Sequence, residues 1–302
     1  MNMLIVVATG EPRGAYHLHP LRKAAQESKS TIVHLTPYPE PVQGEPWLYT
    51  SHDTDLIKKA AKVVIIGGGF TAWTTLVAES ALSNNKKLLL TELAIGAQPD
   101  NKTHPNPHYI SALSPISASN LAEYHKRDIK NITITGTPLL DNMPIKKTKS
   151  KTALIFSTVS RRDFDTHNIL AETYNKLQSE GYKVIVRPHP REDTYDIRHL
   201  ELDTNPNPIA VASTVEIIFA YPGTPLPIVA ALETPIITLT PTKHFESALP
   251  PQIMDKFRYN MTNINQLNNL LKLAKPMPKS DILSITGPIG KASQNVIKLW
   301  DS

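Results

Sequence analysis

The segment Arg187-Pro188-His189-Pro190-Arg191 places an imidazole between two guanidinium groups at the end of an apolar run. The flanking prolines fix their own φ angles, so His189 is held in a restricted backbone. Arg187 and Arg191 suit bidentate binding of phosphate. The alternative is a histidine that serves only as a structural hydrogen-bond partner at a strand end. The segment predicts phosphate binding by His189 and Arg187.

Two further segments of the second half carry hydroxyl groups directly after predicted strands. Gly223-Thr224 opens a predicted helix, where free backbone amides and a hydroxyl would face an anion. A plain N-cap is the alternative. Ser157 and Thr158 follow an earlier predicted strand in the same way, and Arg161 comes shortly after them. With His189, these groups would surround a pyrophosphate.

In the first half, the polar cluster after the first apolar run is the candidate for acid–base chemistry. Glu11, Arg13 and His17 follow the run from Leu4 to Ala8. A carboxylate or imidazole here would be the general base that activates an acceptor hydroxyl, so Glu11 and His17 join His189 as candidate catalytic residues. Arg13 is assigned to the acceptor side. The alternative is a solvated polar loop.

A triple glycine, Gly67-Gly68-Gly69, follows the third apolar run. With Ala72 it matches the G-x-G-x-x-A dinucleotide fingerprint, and Glu92 stands 20 positions past Ala72, where an NAD ribose acid would lie. The usual fingerprint, however, follows the first strand of its domain. We favour a tight strand-to-helix turn that lets a ligand approach closely, and we assign Gly68, Gly69 and Glu92 to the acceptor side.

Composition excludes several kinds of site. The 302 residues include no cysteine, which excludes disulfides, thiolate catalysis and cysteine-bound zinc. No second ligand lies at metal-binding spacing from His189, so neither a metal nor a cofactor is expected. The net charge of +5 suits an anionic small substrate or a peripheral membrane contact rather than nucleic acid. The sequence has no apolar run of about 18 residues, the length that a membrane-spanning helix needs. We therefore expect a cytoplasmic protein that can also contact the inner face of the membrane peripherally.

Apolar, β-branched runs alternate with helical patterns along the chain. This alternation predicts an α/β fold with parallel sheets, in which ligands bind at the carboxyl ends of the strands. The basic stretch 142–151 is the best linker candidate, and the alternation restarts after it. We predict two Rossmann-like domains, residues 1–143 and 144–302, facing each other across a cleft, with the last helix able to pack back on the first. Residues 96–109 are predicted to be a loop, followed by a helix from Ser119.

Several segments, in the same order, resemble those of GT-B sugar-nucleotide enzymes. Ala61 to Ala72 resembles the glycine-rich turn of the lipid-II-forming N-acetylglucosaminyltransferases, in which a helix, a strand and a glutamate follow, as Glu92 does here. Residues 132–141 resemble the segment that ends the first domain of many GT-B proteins. Residues 183–191 resemble the strand and His-Pro motif of CDP-glycerol polymerases and bacterial sialyltransferases. Residues 287–299 resemble the closing helix of UDP-N-acetylglucosamine epimerases.

This resemblance implies that the second domain binds a nucleotide-activated donor, either a nucleotide sugar or a CDP-polyol. His189 would contact a donor phosphate, and Gly223 with Thr224 would supply amides and a hydroxyl. Glu11 or a neighbouring histidine would meet a glycan or lipid-linked acceptor. GT-B enzymes typically need no metal, because side chains and a helix N-terminus stabilise the leaving diphosphate.

The sequence departs from the family at two positions near Pro235. Many GT-B families hold the ribose with a glutamate seven residues before this proline, where Ile228 stands here, and Glu233 replaces the glycine of the turn. The resemblance predicts a metal-independent glycosyl- or glycerophosphate-type transferase that builds a cell-surface glycan or glycolipid. The alternatives are a nucleotide-sugar epimerase or hydrolase of the same fold and a non-catalytic nucleotide- or glycan-binding partner. The missing ribose acid favours the last of these.

Overall fold

The structure is a computed structural model. The residues it describes are 3–9, 21, 24, 30–36, 54–67, 71–92, 105–147, 149–158, 164–189, 197–205, 207–223, 225–240 and 249–302.

These residues form parallel strands and short to medium helices. The strands are β1 (Leu4–Thr9), β2 (Thr31–Leu35), β3 (Lys62–Ile66), β4 (Lys87–Thr91), β5 (Tyr109–Ala112), β6 (Ile132–Ile134), β7 (Thr152–Phe156), β8 (Lys183–Arg187), β9 (Ile217–Ala220), β10 (Ile236–Leu239) and β11 (Asn260–Met261). The helices are α1 (Thr54–Lys59), α2 (Ala72–Ser83), α3 (Pro115–Tyr124), α4 (Phe164–Ser179), α5 (Pro208–Ala212), α6 (Pro225–Ala230), α7 (Pro251–Met254), α8 (Leu267–Leu273), α9 (Lys279–Thr286) and α10 (Ala292–Asp301). Short 3₁₀ turns occupy Ile129–Asn131, Pro138–Leu140 and Ile264–Gln266.

The chain divides into two compact units. Unit 1 comprises Met1–Asn142 and Leu283–Ser302, and unit 2 comprises Met143–Ile282. The first crossing falls within the basic stretch that the sequence predicts as a linker. Beyond the crossing this stretch is fastened to unit 2, because the backbone amides of Lys147 and Lys149 donate to the carbonyls of Ser213 and Thr214 at 3.0 and 2.8 Å.

Each unit is built on a parallel sheet. The order is β2-β1-β3-β4-β5-β6 in unit 1 and β11-β10-β9-β7-β8 in unit 2. In both, the first strand lies between the next two strands in sequence, so the strand order reverses beside it. Ligands of open parallel sheets bind outside the carboxyl ends of the strands at such a reversal. The fold therefore predicts ligand sites at the carboxyl ends of β1 and β3 and at those of β7 and β9.

Both faces of the first sheet are buried at its central strands β1, β3 and β4, which accounts for their continuous apolar sequences. One face includes Val6 and Val63, and the other includes Ile5, Val64 and Trp300 of helix α10. The last helix thus covers one face of the first sheet. The Trp300 Nε1–H donates to the Thr91 hydroxyl at 2.9 Å.

The side chain of Asp141, near the end of the Met1–Asn142 segment of unit 1, binds the amino end of α10. The Asp141 carboxylate accepts hydrogen bonds from the backbone amides of Ala292 and Ser293, both at 2.7 Å. A carboxylate at a helix N-terminus satisfies free amides and interacts favourably with the helix dipole. Residues 283–302 are therefore an integral part of unit 1.

The sequence predicts neither β5 nor the two-residue strand β11 (Asn260–Met261). Tyr109–Ala112 forms β5 between β4 and β6, and the following helix begins at Pro115 instead of Ser119. Ser114 is the N-cap and accepts a hydrogen bond from the Ser117 amide, while proline occupies the first helical turn. Ser-Pro is a known helix-start signal, and a four-residue strand gives too short an apolar run to stand out.

Candidate functional site

Three strands of the second sheet end at the same level. Phe156, the last residue of β7, pairs with Arg187 of β8 on one side and with Ala220 of β9 on the other. The Ser157 amide continues this ladder by donating to the Arg187 carbonyl at 2.9 Å. The loops that begin at Ser157, Pro188 and Tyr221 therefore leave the sheet side by side, at the reversal of strand order.

Five of the predicted donor-side residues lie at or directly after these strand ends. They are Ser157, Thr158, Arg187, His189 and Gly223. All five are half-buried, whereas Tyr221 and Pro222 are buried. Arg161 and Thr224 lie outside the described residues. This edge combines hydroxyl groups, an imidazole and a glycine backbone, a set that can hydrogen-bond an anion without a metal ion.

None of the described residues requires glycine at position 223. Its φ angle is outside the left-handed region, and an added Cβ would meet Pro225 Cδ and Tyr221 O only at 3.6 and 3.7 Å, which are ordinary contacts. A glycine that its described neighbours do not require leaves room for a ligand to approach the backbone.

The Arg187 guanidinium is engaged within the protein. Its Nη1 donates to Asp203 Oδ2 at 2.5 Å and to the Asn205 carbonyl at 2.7 Å. Sequence reasoning missed Asp203, because no local pattern marks a carboxylate that meets an arginine 16 residues earlier in the chain.

Near Pro235, where the resemblance predicts a glycine, the structure has Glu233 in the conformation that favours glycine. Glu233 has a φ of 53°, so it adopts the left-handed conformation that a glycine in this turn would take without strain. Its carbonyl accepts a hydrogen bond from Lys146 Nζ at 2.7 Å. The turn is therefore formed although its glycine is missing.

In unit 1, the candidate acceptor-side residue that the structure describes is Glu92. It follows β4, is 1% exposed, and its Oε2 accepts a hydrogen bond from the Leu113 amide at 3.0 Å. Burial raises the pKa of Glu92 to about 7, against the lowering effect of the Leu113 amide and the Ser117 side chain. A carboxyl group with this pKa exchanges its proton near neutral pH. Glu11, Arg13, His17, Gly68 and Gly69 lie outside the described residues.

A buried histidine near the end of β2 was not among the predicted site residues. His34 Nε2 lies 2.7 Å from the hydroxyl of Thr9, the last residue of β1. Burial lowers the pKa of His34 to about 4, so its ring is neutral at pH 7. The signal in the sequence was a single histidine inside the apolar strand Thr31–Leu35.

Two further observations concern the described residues only. None of their histidine, aspartate and glutamate side chains gather in a group of three that could hold a metal ion. Their helices include none of the length and apolar character needed to cross a membrane.

Comparison with known proteins identifies the fold. The chain resembles the UDP-GlcNAc 2-epimerase of Methanocaldococcus jannaschii (TM-score 0.66, 15% identity, 99% of each chain covered). It also resembles the wall teichoic acid polymerase TagF (TM-score 0.64, 12% identity, 98% of this chain and 88% of that one) and MurG of Acinetobacter baumannii (TM-score 0.66, 10% identity, 99% of each). No protein-family pattern matches the sequence, and no curated protein matches it.

These solved structures are GT-B-type enzymes. At 10–15% identity their likeness shows the fold, and it confirms the prediction of two Rossmann-like domains in one chain.

Proposed function

We propose that this chain is a metal-independent transferase that binds a nucleotide-activated donor by its diphosphate at the carboxyl edge of the second sheet. The observation that carries the proposal is the register of β7, β8 and β9. Because Phe156 pairs with both Arg187 and Ala220, the segments with Ser157, His189 and Gly223 converge at the strand-order reversal. The fold neighbours support the broader class of nucleotide-sugar enzymes, since one is a UDP-GlcNAc 2-epimerase and another the wall teichoic acid polymerase TagF.

The residues at this edge would stabilise the leaving diphosphate. Ser157 and Thr158 offer hydroxyl donors, His189 offers a ring N–H, and Gly223 allows the backbone to approach. When the bond between the donor group and the diphosphate breaks, negative charge develops on the diphosphate oxygen. Donors already oriented toward that oxygen lower the barrier without reorganising.

On the acceptor side, a proton must leave the attacking hydroxyl group. Glu11 and His17 are the bases that the sequence proposes, and Arg13, Gly68 and Gly69 would line the acceptor. Glu92 adds a buried carboxyl group whose pKa of about 7 suits proton transfer at neutral pH. The acceptor we propose is a growing cell-surface glycan or a glycolipid, met at the inner face of the membrane.

A nucleotide-sugar epimerase of the same fold is the second candidate. The likeness to the M. jannaschii epimerase extends over 99% of both chains and favours it. An epimerase would alter the sugar without any acceptor, whereas a transferase releases nucleoside diphosphate only when an acceptor hydroxyl is present.

Binding of UDP and CDP should depend on His189. We expect one of the two to bind, and His189→Ala to weaken that binding about tenfold, because a hydrogen bond to a charged phosphate is lost. Isothermal titration measures both affinities. His199→Ala, which changes an exposed histidine of the same unit, is the matched control and should bind like the wild type.

Equal weakening by both substitutions, or no binding of either nucleotide, would contradict the proposed donor site. A panel of UDP- and CDP-activated donors, assayed with and without glycan acceptors, then separates transferase from epimerase. Nucleotide binding with neither activity would identify a non-catalytic binding partner.

A further inference from the structure

The outer edge of β8 is covered at its carboxyl end. Residues 201–205 run alongside it, with the Val186 amide donating to the Glu201 carbonyl and the Asp203 amide donating to the Val186 carbonyl, both at 2.8 Å. Leu202 forms a parallel bridge with Val186. Because β7 pairs with β8 on its other side, this segment lies on the side of β8 away from the reversal between β7 and β9.

Arg187 is bound to this covering segment. Its Nη1 contacts both Asp203 Oδ2 and the Asn205 carbonyl, and the two side chains of the ion pair are only 16% and 4% exposed. Contacts with residues 203–205 draw Nη1 toward the outer edge of β8. The proposed diphosphate lies on the opposite side of this strand, next to β7 and β9.

The ion pair is part of a longer series of hydrogen bonds. Asp203 Oδ1 accepts from the Asn205 amide at 2.9 Å, Asn205 Oδ1 accepts from the Asn207 amide at 2.9 Å, and Asn207 Oδ1 accepts from the Ile209 amide at 3.0 Å. The last of these caps helix α5, which packs against α6, the helix that follows Gly223. The series therefore connects the end of β8 with the element that follows the Gly223 loop.

A direct phosphate contact through Arg187 Nη1 would require this arrangement to break. It would leave the nearly buried carboxylate of Asp203 without its cation, which is strongly unfavourable. Keeping the pair instead fixes the backbone two residues before His189. Pro188 lies between Arg187 and His189 and transmits this restraint, because its ring fixes its own φ angle.

We propose that Arg187 and Asp203 are positioning residues that set the placement of His189, and that Arg187 is not itself a ligand of the donor phosphate. The inference rests on the proposed function for its ligand, the nucleoside diphosphate. It differs from the expectation drawn from the sequence, in which Arg187 binds phosphate directly.

Asp203→Asn separates the two roles, because they predict opposite changes in nucleotide affinity. If Arg187 were a phosphate ligand restrained by Asp203, removing the carboxylate charge would preserve or increase nucleotide affinity. If the pair positions His189, Asp203→Asn and Arg187→Lys should each weaken UDP or CDP binding, by about tenfold. In the His189→Ala background, Arg187→Lys should then have no further effect, whereas an independent phosphate ligand would add its own loss.

The matched control is a second ion pair between the same two segments. Lys183 and Glu201 join the amino end of β8 to the covering segment at 2.8 Å, with side chains that are 59% and 49% exposed. Lys183→Gln and Glu201→Gln should leave nucleotide affinity unchanged, because exposed ion pairs contribute little. If they weaken binding as much as Asp203→Asn, the effect is general to the strand and the inference is wrong.

A second readout does not need the ligand. The imidazole resonances of His189, identified by their absence in His189→Ala, should shift in Asp203→Asn and Arg187→Lys and remain in place in both control variants. Unchanged resonances would overturn the inference. If Asp203→Asn fails to fold, the His189 resonances of Arg187→Lys, which keeps the cation, can be compared with those of the control variants instead. Absence of nucleotide binding by the wild type would refute the proposed function, while the resonances would still decide the positioning role.

Discussion

Gly287→Ala should lower the free energy of unfolding of unit 1 by about 3 kcal/mol. Gly287 has a φ of 70°, and an added Cβ would lie 2.1 Å from the Leu113 carbonyl oxygen and 3.1 Å from Gly136 Cα. All of these neighbours are backbone atoms, so the clash cannot be relieved by rotating a side chain. Leu113 also donates the amide that binds Glu92, so the same displacement would disturb the candidate site.

Gly290→Ala is the control for Gly287→Ala. Gly290 has a φ of 93°, but an added Cβ would meet no atom of the described residues within 4 Å. Gly290→Ala should lower the free energy of unfolding by about 1 kcal/mol, from backbone strain alone. Urea unfolding of the two variants and the wild type measures the difference. Equal losses of unfolding free energy would show that the added Cβ at position 287 causes no clash with the Leu113 carbonyl.

Glu92→Gln should make the protein more stable at pH 8, by up to about 3 kcal/mol, while leaving stability at pH 4.5 nearly unchanged. Burial raises the pKa of Glu92 from 4.5 to about 7 in the folded protein. A group with a raised pKa stabilises the folded state fully below its unfolded value, and this contribution is lost as pH rises through the folded value. The wild type should therefore lose stability relative to Glu92→Gln between about pH 4.5 and 7, because glutamine does not titrate and still accepts from the Leu113 amide.

Thermal or urea unfolding across this pH range tests the prediction. Glu123→Gln, an exposed carboxylate at the end of α3, is the control and should leave the pH dependence of the wild type intact. A Glu92→Gln variant with the same pH dependence as the wild type would show that this carboxyl group is not buried as described. If Glu92 transfers protons in the reaction, the stabilised variant should also have a reduced turnover.

The sequence was sufficient for the fold class because its signals are local. Apolar runs such as Leu4 to Ala8 and Val63 to Ile66 are long enough to indicate strands buried on both faces, and helical patterns separate them. Parallel sheets place every strand end on one edge, so the polar segments at Ser157, His189 and Gly223 could be grouped before their register was known.

What the sequence did not predict depends on contacts between distant segments. The four residues of β5 are recognisable as a strand only through their pairing with β4 and β6. Asp203 meets Arg187 only because residues 201–205 add to the edge of β8. Burial raises the pKa of Glu92, and its hydrogen-bond partners Leu113 and Ser117 lie more than 20 residues later in the chain, so no local sequence pattern indicates this environment.

The most direct test of the donor site is to measure nucleotide affinity and unfolding together in Gly223→Ala. Because the added Cβ meets only ordinary contacts among the described residues, stability should be unchanged or higher by a few tenths to about 1 kcal/mol. Because the same Cβ would occupy the space we assign to the diphosphate, the affinity for UDP or CDP should fall by about tenfold or more. A stable Gly223→Ala variant that binds nucleotide as tightly as the wild type would contradict a diphosphate site at the carboxyl ends of β7 and β9.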